Sequence, residues 1–197
     1  MVSYKTIKII DFLRKEKLPV ISINLLRSLT GLTNKQSLAS YINSLIRYKI
    51  LEKAEKGKYL VKDNLTNDFV VANLLYSPSY VSLETALNLY GVLSQFPVEI
   101  SSVTIKRKKS KTIADKLYVY YHINPKFFWG FEKKEGALIA LPEKALLDAI
   151  YLTSKGIKKI TIGELDLSFI DKKVFTDFSK KFPKTKILSN LVKSVLQ

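Results

Sequence analysis

The chain of 197 residues has no cysteine, one histidine, one tryptophan and one methionine. Without thiols there is neither a disulfide framework nor thiolate ligation, so structural zinc is excluded, and a lone histidine leaves little room for an imidazole site. No Gly-rich phosphate loop and no Ser-His-Asp set is present to support nucleotide or nucleophilic chemistry. Apolar runs are short: FVVANLLY from Phe69 is far below the length of a membrane span. The N-terminus lacks an apolar stretch ending in a small-residue cleavage site. These absences lead to the expectation of a soluble, cytoplasmic protein with no metal and no cofactor.

Acids are also scarce. Seventeen Asp+Glu stand against 33 Lys+Arg, a net charge of +16, and such an excess favours a polyanionic partner. Nucleic acid fits better than a membrane surface, because no isolated basic amphipathic helix or lipidation signal is found. With 47% hydrophobic residues the chain can still bury a core throughout.

The segment Ser22–Arg47 reads as two short helices joined by a tight turn. Leu25, Leu26 and Leu29 lie at helical spacing, Thr30-Gly31 supplies a stop, and Thr33-Asn34-Lys35-Gln36 fits a capping box that opens the next helix. In that helix Leu38, Tyr41, Ile42 and Leu45 share one side, while Gln36, Ser40, Asn43 and Arg47 form an outer stripe without an acid. An amphipathic helix over Tyr4–Lys15, with Ile7, Ile10 and Leu13, precedes them, and Val20-Ile21 is a strand stub before Ser22. A hairpin follows: Ile50–Ala54, a turn at Glu55-Lys56-Gly57, and Lys58–Val61. Three helices and a hairpin make a winged helix-turn-helix. Between Met1 and Lys62 there are 13 Lys+Arg and 4 Asp+Glu.

As a DNA reader, this unit would use Gln36 and Asn43 on adenine edges, Arg47 on guanine or phosphate, and Ser37, Ser40 and Tyr41 for mixed contacts, with Asn34 opening the helix. Lys35, Lys53, Lys56 and Lys58 would hold the backbone. The alternative is a protein-interaction module in which the polar face is only solvated.

The polar stretch Asp63–Asp68 predicts a domain boundary, giving domains 1–66 and 67–197. The second part reads as α+β: helices from Phe69 through Tyr76 and, capped by Ser82, through Leu89; strands at Glu99–Ile105, Leu117–Ile123, Phe127–Phe131 and Ala137–Ala140. Helices at Glu143–Tyr151, Asp171–Phe182 and Thr185–Leu196 complete it. Six basic residues between Lys106 and Lys116, including Lys106, Arg107, Lys108 and Lys109, are either a solvated face or a second phosphate contact. His122 reads as a hydrogen-bonded core residue. Phe127, Phe128, Trp129 and Phe131 could stack single-stranded bases or fill a core. Asp115 with Glu132-Lys133-Lys134 imitates the acid pattern of a metal-dependent nuclease, a match that arises easily by chance in so lysine-rich a chain.

The succession SYVSLETALNLYGV from Ser79, ISSVTIKRKK from Ile100, YVYYHI from Tyr118, FFWGFE from Phe127 and ALIALPEKALLDAIY from Ala137 resembles the AbiEi family of abortive-infection antitoxins. Most of residues 1–151 is covered, and the stretch Pro142–Asp148 is its most specific piece. After Tyr151 the match is only in helical character. The resemblance implies a winged helix-turn-helix followed by a C-terminal antitoxin domain, and an autorepressor that binds inverted repeats upstream of its own operon. It further implies counteraction, direct or indirect, of a nucleotidyltransferase-like toxin encoded next door, with no enzymatic activity of its own. For the residues of PEKALLDAIY themselves, Pro142 suits a first helical turn, Glu143 the positive end of the helix dipole, and Ala145, Leu146, Ala149 and Ile150 a buried face.

Overall fold

The computed structural model describes residues 4–64, 67–113 and 115–197. The described residues form a mixed α+β fold with eight α-helices, a three-stranded antiparallel sheet and a six-stranded mixed sheet. No helix among them is long and apolar enough to cross a membrane. Contacts divide the chain into two compact units, Met1–Leu75 and Tyr76–Gln197. The expected boundary at 66/67 falls at Leu65-Thr66, outside the described residues. The helix that follows it, expected in the second domain, groups by its contacts with the first unit.

The first unit runs α1 (Tyr4–Glu16), β1 (Val20–Ser22), α2 (Ile23–Thr30), α3 (Lys35–Arg47), β2 (Leu51–Glu55), β3 (Lys58–Val61) and α4 (Asp68–Leu75). Its core joins Ile9 and Leu13 of α1, Leu26 of α2, Leu38, Ile42 and Leu45 of α3, and Leu51 and Val61 of the hairpin. The inner stripe of α1 is Thr6, Ile9 and Leu13, spaced three and four residues apart, so Ile7 is turned outward and is 47% exposed. The strand stub pairs with β3 on the side away from β2, giving the order β1-β3-β2. Where β1 ends, α2 begins: the Ser22 hydroxyl accepts from Leu25 N at 3.2 Å. Ile23 N donates to Gly57 O at 2.8 Å. Gly57 has φ +73°, and a Cβ there would stand 3.3 Å from the Ile23 side chain. The hairpin turn thus rests on the first residue of α2.

The second unit contains β4 (Ser79–Val81), α5 (Leu83–Leu89), β5 (Glu99–Thr104), β6 (Lys109–Ile113), β7 (Lys116–His122), β8 (Phe131–Lys134), β9 (Ala137–Ala140), α6 (Pro142–Ser154), α7 (Lys172–Ser179) and α8 (Lys186–Leu196). The sheet order is β6-β7-β5-β4-β9-β8, with β5 parallel to β7 and β4 parallel to β9. Helix α6 packs against α5, α7, α8 and β9. Phe127–Phe131 is not the expected strand. Asn124 caps a 3-10 turn over Pro125–Phe127, Gly130 takes φ +75°, and extended pairing starts only at Phe131. Helices α7 and α8 each begin one residue later than expected because Asp171 and Thr185 cap them from outside, and α7 ends at Ser179, short of the expected Phe182.

At the centre lies a charged pair. Lys144 and Asp148, one turn apart on α6, are both 0% exposed and hydrogen-bonded to each other. The Tyr80 and Ser82 hydroxyls each donate to Asp148 Oδ2 at 2.9 Å. Lys144 Nζ also donates to Tyr80 Oη at 2.8 Å. Rings of Tyr80, Trp129 and Phe182 lie 5.2, 5.2 and 5.5 Å from the ammonium. A Cβ at Gly130 would come 2.9 Å from Lys144 Cγ, so glycine is what lets the lysine stem pass. Ser82 therefore faces the carboxylate and makes no side-chain cap to α5, contrary to the sequence expectation. Burial pushes the Asp148 carboxyl above its usual range and the Lys144 amine below its own, and their mutual attraction opposes both shifts.

Breaking the pair on one side leaves a buried charge unmatched. Lys144→Met is expected to cost about 3–5 kcal/mol in urea unfolding, whereas Lys144→Met combined with Asp148→Leu, Tyr80→Phe and Ser82→Ala, which also removes the two hydroxyls that donate to Asp148, should recover most of that loss. A combined variant as unstable as the single one would show that the charges do more than compensate each other.

Candidate nucleic-acid interface

Two basic clusters stand out, one in each unit, and each is built from its own local structure. In the first unit, Gly31 closes α2 in the left-handed conformation, φ +67°, with its N–H on Arg27 O at 2.9 Å. The cap of α3 is Asn34, one residue later than the Thr33 capping box. Its Oδ1 accepts from Gln36 N at 2.8 Å and Ser37 N at 3.1 Å. Asn34 thus serves the helix end with its carbonyl oxygen.

Along α3, Leu38, Ile42 and Leu45 are buried at 1, 2 and 0% exposure, and Lys35, Gln36, Ser37, Ser40, Asn43 and Arg47 are all exposed. The structure brings these six onto one open surface. Tyr41 is the exception: it packs against the core and its hydroxyl donates to Thr6 Oγ1 on α1 at 3.3 Å, away from that surface. Ala39, which the sequence reading passed over, is exposed among the polar residues.

On the hairpin, Lys53 and Lys56 are exposed. Lys58 is turned back instead: its ammonium donates to Leu74 O and, at 3.1 Å, to Leu75 O, closing the last turn of α4. The hairpin also carries acids, with Glu52 3.5 Å from Lys62. Between α2, α3 and β3 runs an open cleft of about 330 Å³, floored by Leu38 and Ile42 and rimmed by Arg27, Lys35 and Asn43.

The second cluster lies in the connection from β5 to β6. Lys106, Arg107 and Lys108 are exposed there, and Lys109 opens β6 at the sheet edge. Lys106 Nζ donates to Ser77 O and lies 5.4 Å from the Tyr76 ring, with Lys109 5.1 Å from the same ring. Lys108 lies 5.2 Å from the Tyr121 ring. Tyr121 itself donates to Glu99 Oε1 at 2.9 Å, and burial followed by that bond pushes its hydroxyl up to about 12. The basic run is therefore folded over tyrosines. His122 is exposed, not core, with Nδ1 2.9 Å from Lys106 O.

The other sequence candidates separate. Asp115 sits in the turn between β6 and β7 and Glu132 on β8, at opposite edges of the six-stranded sheet, so they do not form one acid cluster. Phe127 stacks on Phe182 at 4.5 Å, Phe131 on Tyr80 at 4.6 Å, and Trp129 meets Phe178 edge-on at 5.0 Å. Phe127 is buried and Phe128, Trp129 and Phe131 are half-buried, each in contact with another ring of this unit. Among the described residues no three His, Cys, Asp or Glu side chains gather as a metal site.

No protein-family model matches the chain, and no curated protein matches it in sequence.

Replacing Asn34 by Ala removes a cap without touching the exposed stripe. A loss of about 1 kcal/mol, read as a lower urea midpoint, is expected; an unchanged midpoint would mean that the two Asn34 bonds contribute nothing.

Proposed function

We propose that the protein is a sequence-specific DNA-binding autorepressor and antitoxin. In this reading α1–α3 with the β1-β3-β2 sheet is a winged helix-turn-helix, and the remainder is an AbiEi-like antitoxin domain. The observation that carries it is the α3 surface. Six polar or basic side chains and no acid lie exposed on a helix preceded by a short glycine turn. Amides suit adenine edges and a guanidinium suits guanine or phosphate. Gln36 and Asn43 read bases in this scheme, with Ser37, Ser40 and Arg47 beside them. Lys35, Lys53 and Lys56 neutralise phosphates, while Lys58 supports the fold. Arg107, Lys108 and Lys109 contribute a further sequence-independent contact, while Lys106, bonded to Ser77 O, supports the fold.

The antitoxin half rests on the motif resemblance. The partner it implies is a nucleotidyltransferase-like toxin encoded by the adjacent gene, opposed directly or indirectly. The operator would be an inverted repeat upstream of the operon, and the protein acts without enzymatic turnover, metal or cofactor, in the cytoplasm.

Electrophoretic shift of the duplex immediately upstream of the gene tests the first half. Binding should fall steeply with salt, and Lys56→Ala should reduce the slope of log K against log[salt] by about 0.9. Asn43→Ala should relax the preference for the upstream duplex by about 1–3 kcal/mol and leave random-sequence binding nearly unchanged. Equal losses on both duplexes would argue against base reading, and no shift at all would favour a protein-interaction module. For the second half, growth arrest by the adjacent gene's product should be relieved when this chain is co-expressed.

A further inference from the structure

The exposed face of α3 is polar at every position but one. Lys35, Ala39 and Asn43 stand four residues apart and so form a single row along the helix. That row borders the cleft between α2, α3 and β3, whose floor is Leu38 and Ile42 and whose far wall is Ile23 and Tyr59. The polar side chains that line it are Arg27, Lys35, Asn43 and Tyr59, and Leu38 and Ile42 offer only hydrocarbon.

The edges of base pairs in the major groove are hydrogen-bond donors and acceptors with a single apolar exception, the C5 methyl of thymine. A donor or acceptor laid against Leu38, Ala39 and Ile42 would find no partner in those three side chains. A methyl group loses nothing there and gains contact area. We propose that Ala39 and the adjoining cleft read a thymine methyl, while Asn43, one turn further on, takes the adenine of a neighbouring A·T pair. Arg27 and Lys35 hold the flanking phosphates from the rim. This rests on the DNA-binding reading above and names the base that it recognises.

The experiment uses the full-length protein and the duplex immediately upstream of its gene, prepared once with thymine and once with uracil throughout, so that only the C5 methyls differ. A random-sequence duplex in the same two forms sets the baseline. Wild-type protein should bind the uracil form of the upstream duplex about fourfold more weakly per methyl read, beyond any change in the random pair. Ala39→Ser, which keeps a helix-compatible side chain of similar size, should bring the thymine-to-uracil ratio close to that of the random pair. Ala39→Gly should do the same, with circular dichroism confirming that both variants are folded. Equal wild-type affinity for both forms overturns the proposal, as does a ratio that survives both substitutions. Failure to prefer the upstream duplex over random DNA overturns the DNA-binding reading itself, and this is visible before uracil is introduced.

Discussion

A lysine and an aspartate shut away from water on one helix set the terms for the whole second unit. Removing two charges from solvent costs several kcal/mol each unless every lone pair and proton finds a partner. Here the carboxylate receives Lys144, Tyr80 and Ser82, and the ammonium has Asp148, the Tyr80 oxygen and three aromatic faces. These partners come from β4, from the residue after it, from the segment before β8 and from the segment between α7 and α8. The pair can be satisfied only when those segments are assembled around α6. Leu83, next to Ser82, is held at φ +58° and fully buried, a conformation that a bulky residue adopts only where its surroundings dictate it. Glu143 adds a link by accepting from Asp171 N at 3.0 Å, tying the start of α6 to the cap of α7.

The charge of the chain divides accordingly. A net +16 suggests a surface uniformly open to a polyanion, but several of the basic groups are engaged within the fold. Lys144 is internal, Lys58 closes α4, and Lys106 bonds to Ser77 O. Lys158 is held between Glu84 at 2.9 Å and Glu99 at 3.0 Å. What is left exposed on α3 owes its character to the absence of acids more than to the number of lysines. That supports an interaction decided by the shape and hydrogen-bonding of one helix over one decided by bulk charge.

Much of the first unit could be read from its amino acids because its signals are local. Periodic leucines, a glycine stop and a polar capping start leave their mark within a few residues, and the hairpin turn is written in Lys56-Gly57. Even there the details shifted: Asn34 replaced Thr33 as the cap, and Tyr41 turned to α1, because a tyrosine at the margin of two faces is assigned by its neighbours. The second unit was legible in its helices and less so in its strands. β4 has three residues and β6 is a polar edge strand, and neither carries a period long enough to be seen. Phe127–Phe131 had strand composition, but Asn124-Pro125 and Gly130 dictated a turn. Least visible was the role of Lys144 and Asp148. Their four-residue spacing suggests an exposed helical salt bridge, and only the partners brought by distant segments make them internal.

The contact between Gly57 and Ile23 bears on how the first unit meets anything large. Because the hairpin turn rests on the first residue of α2, and β3 is paired on both sides, the separation between hairpin tip and helical ridge acts as a set caliper and not a hinged arm. A partner that touches both must already have the matching span, and little conformational freedom remains to be lost on docking.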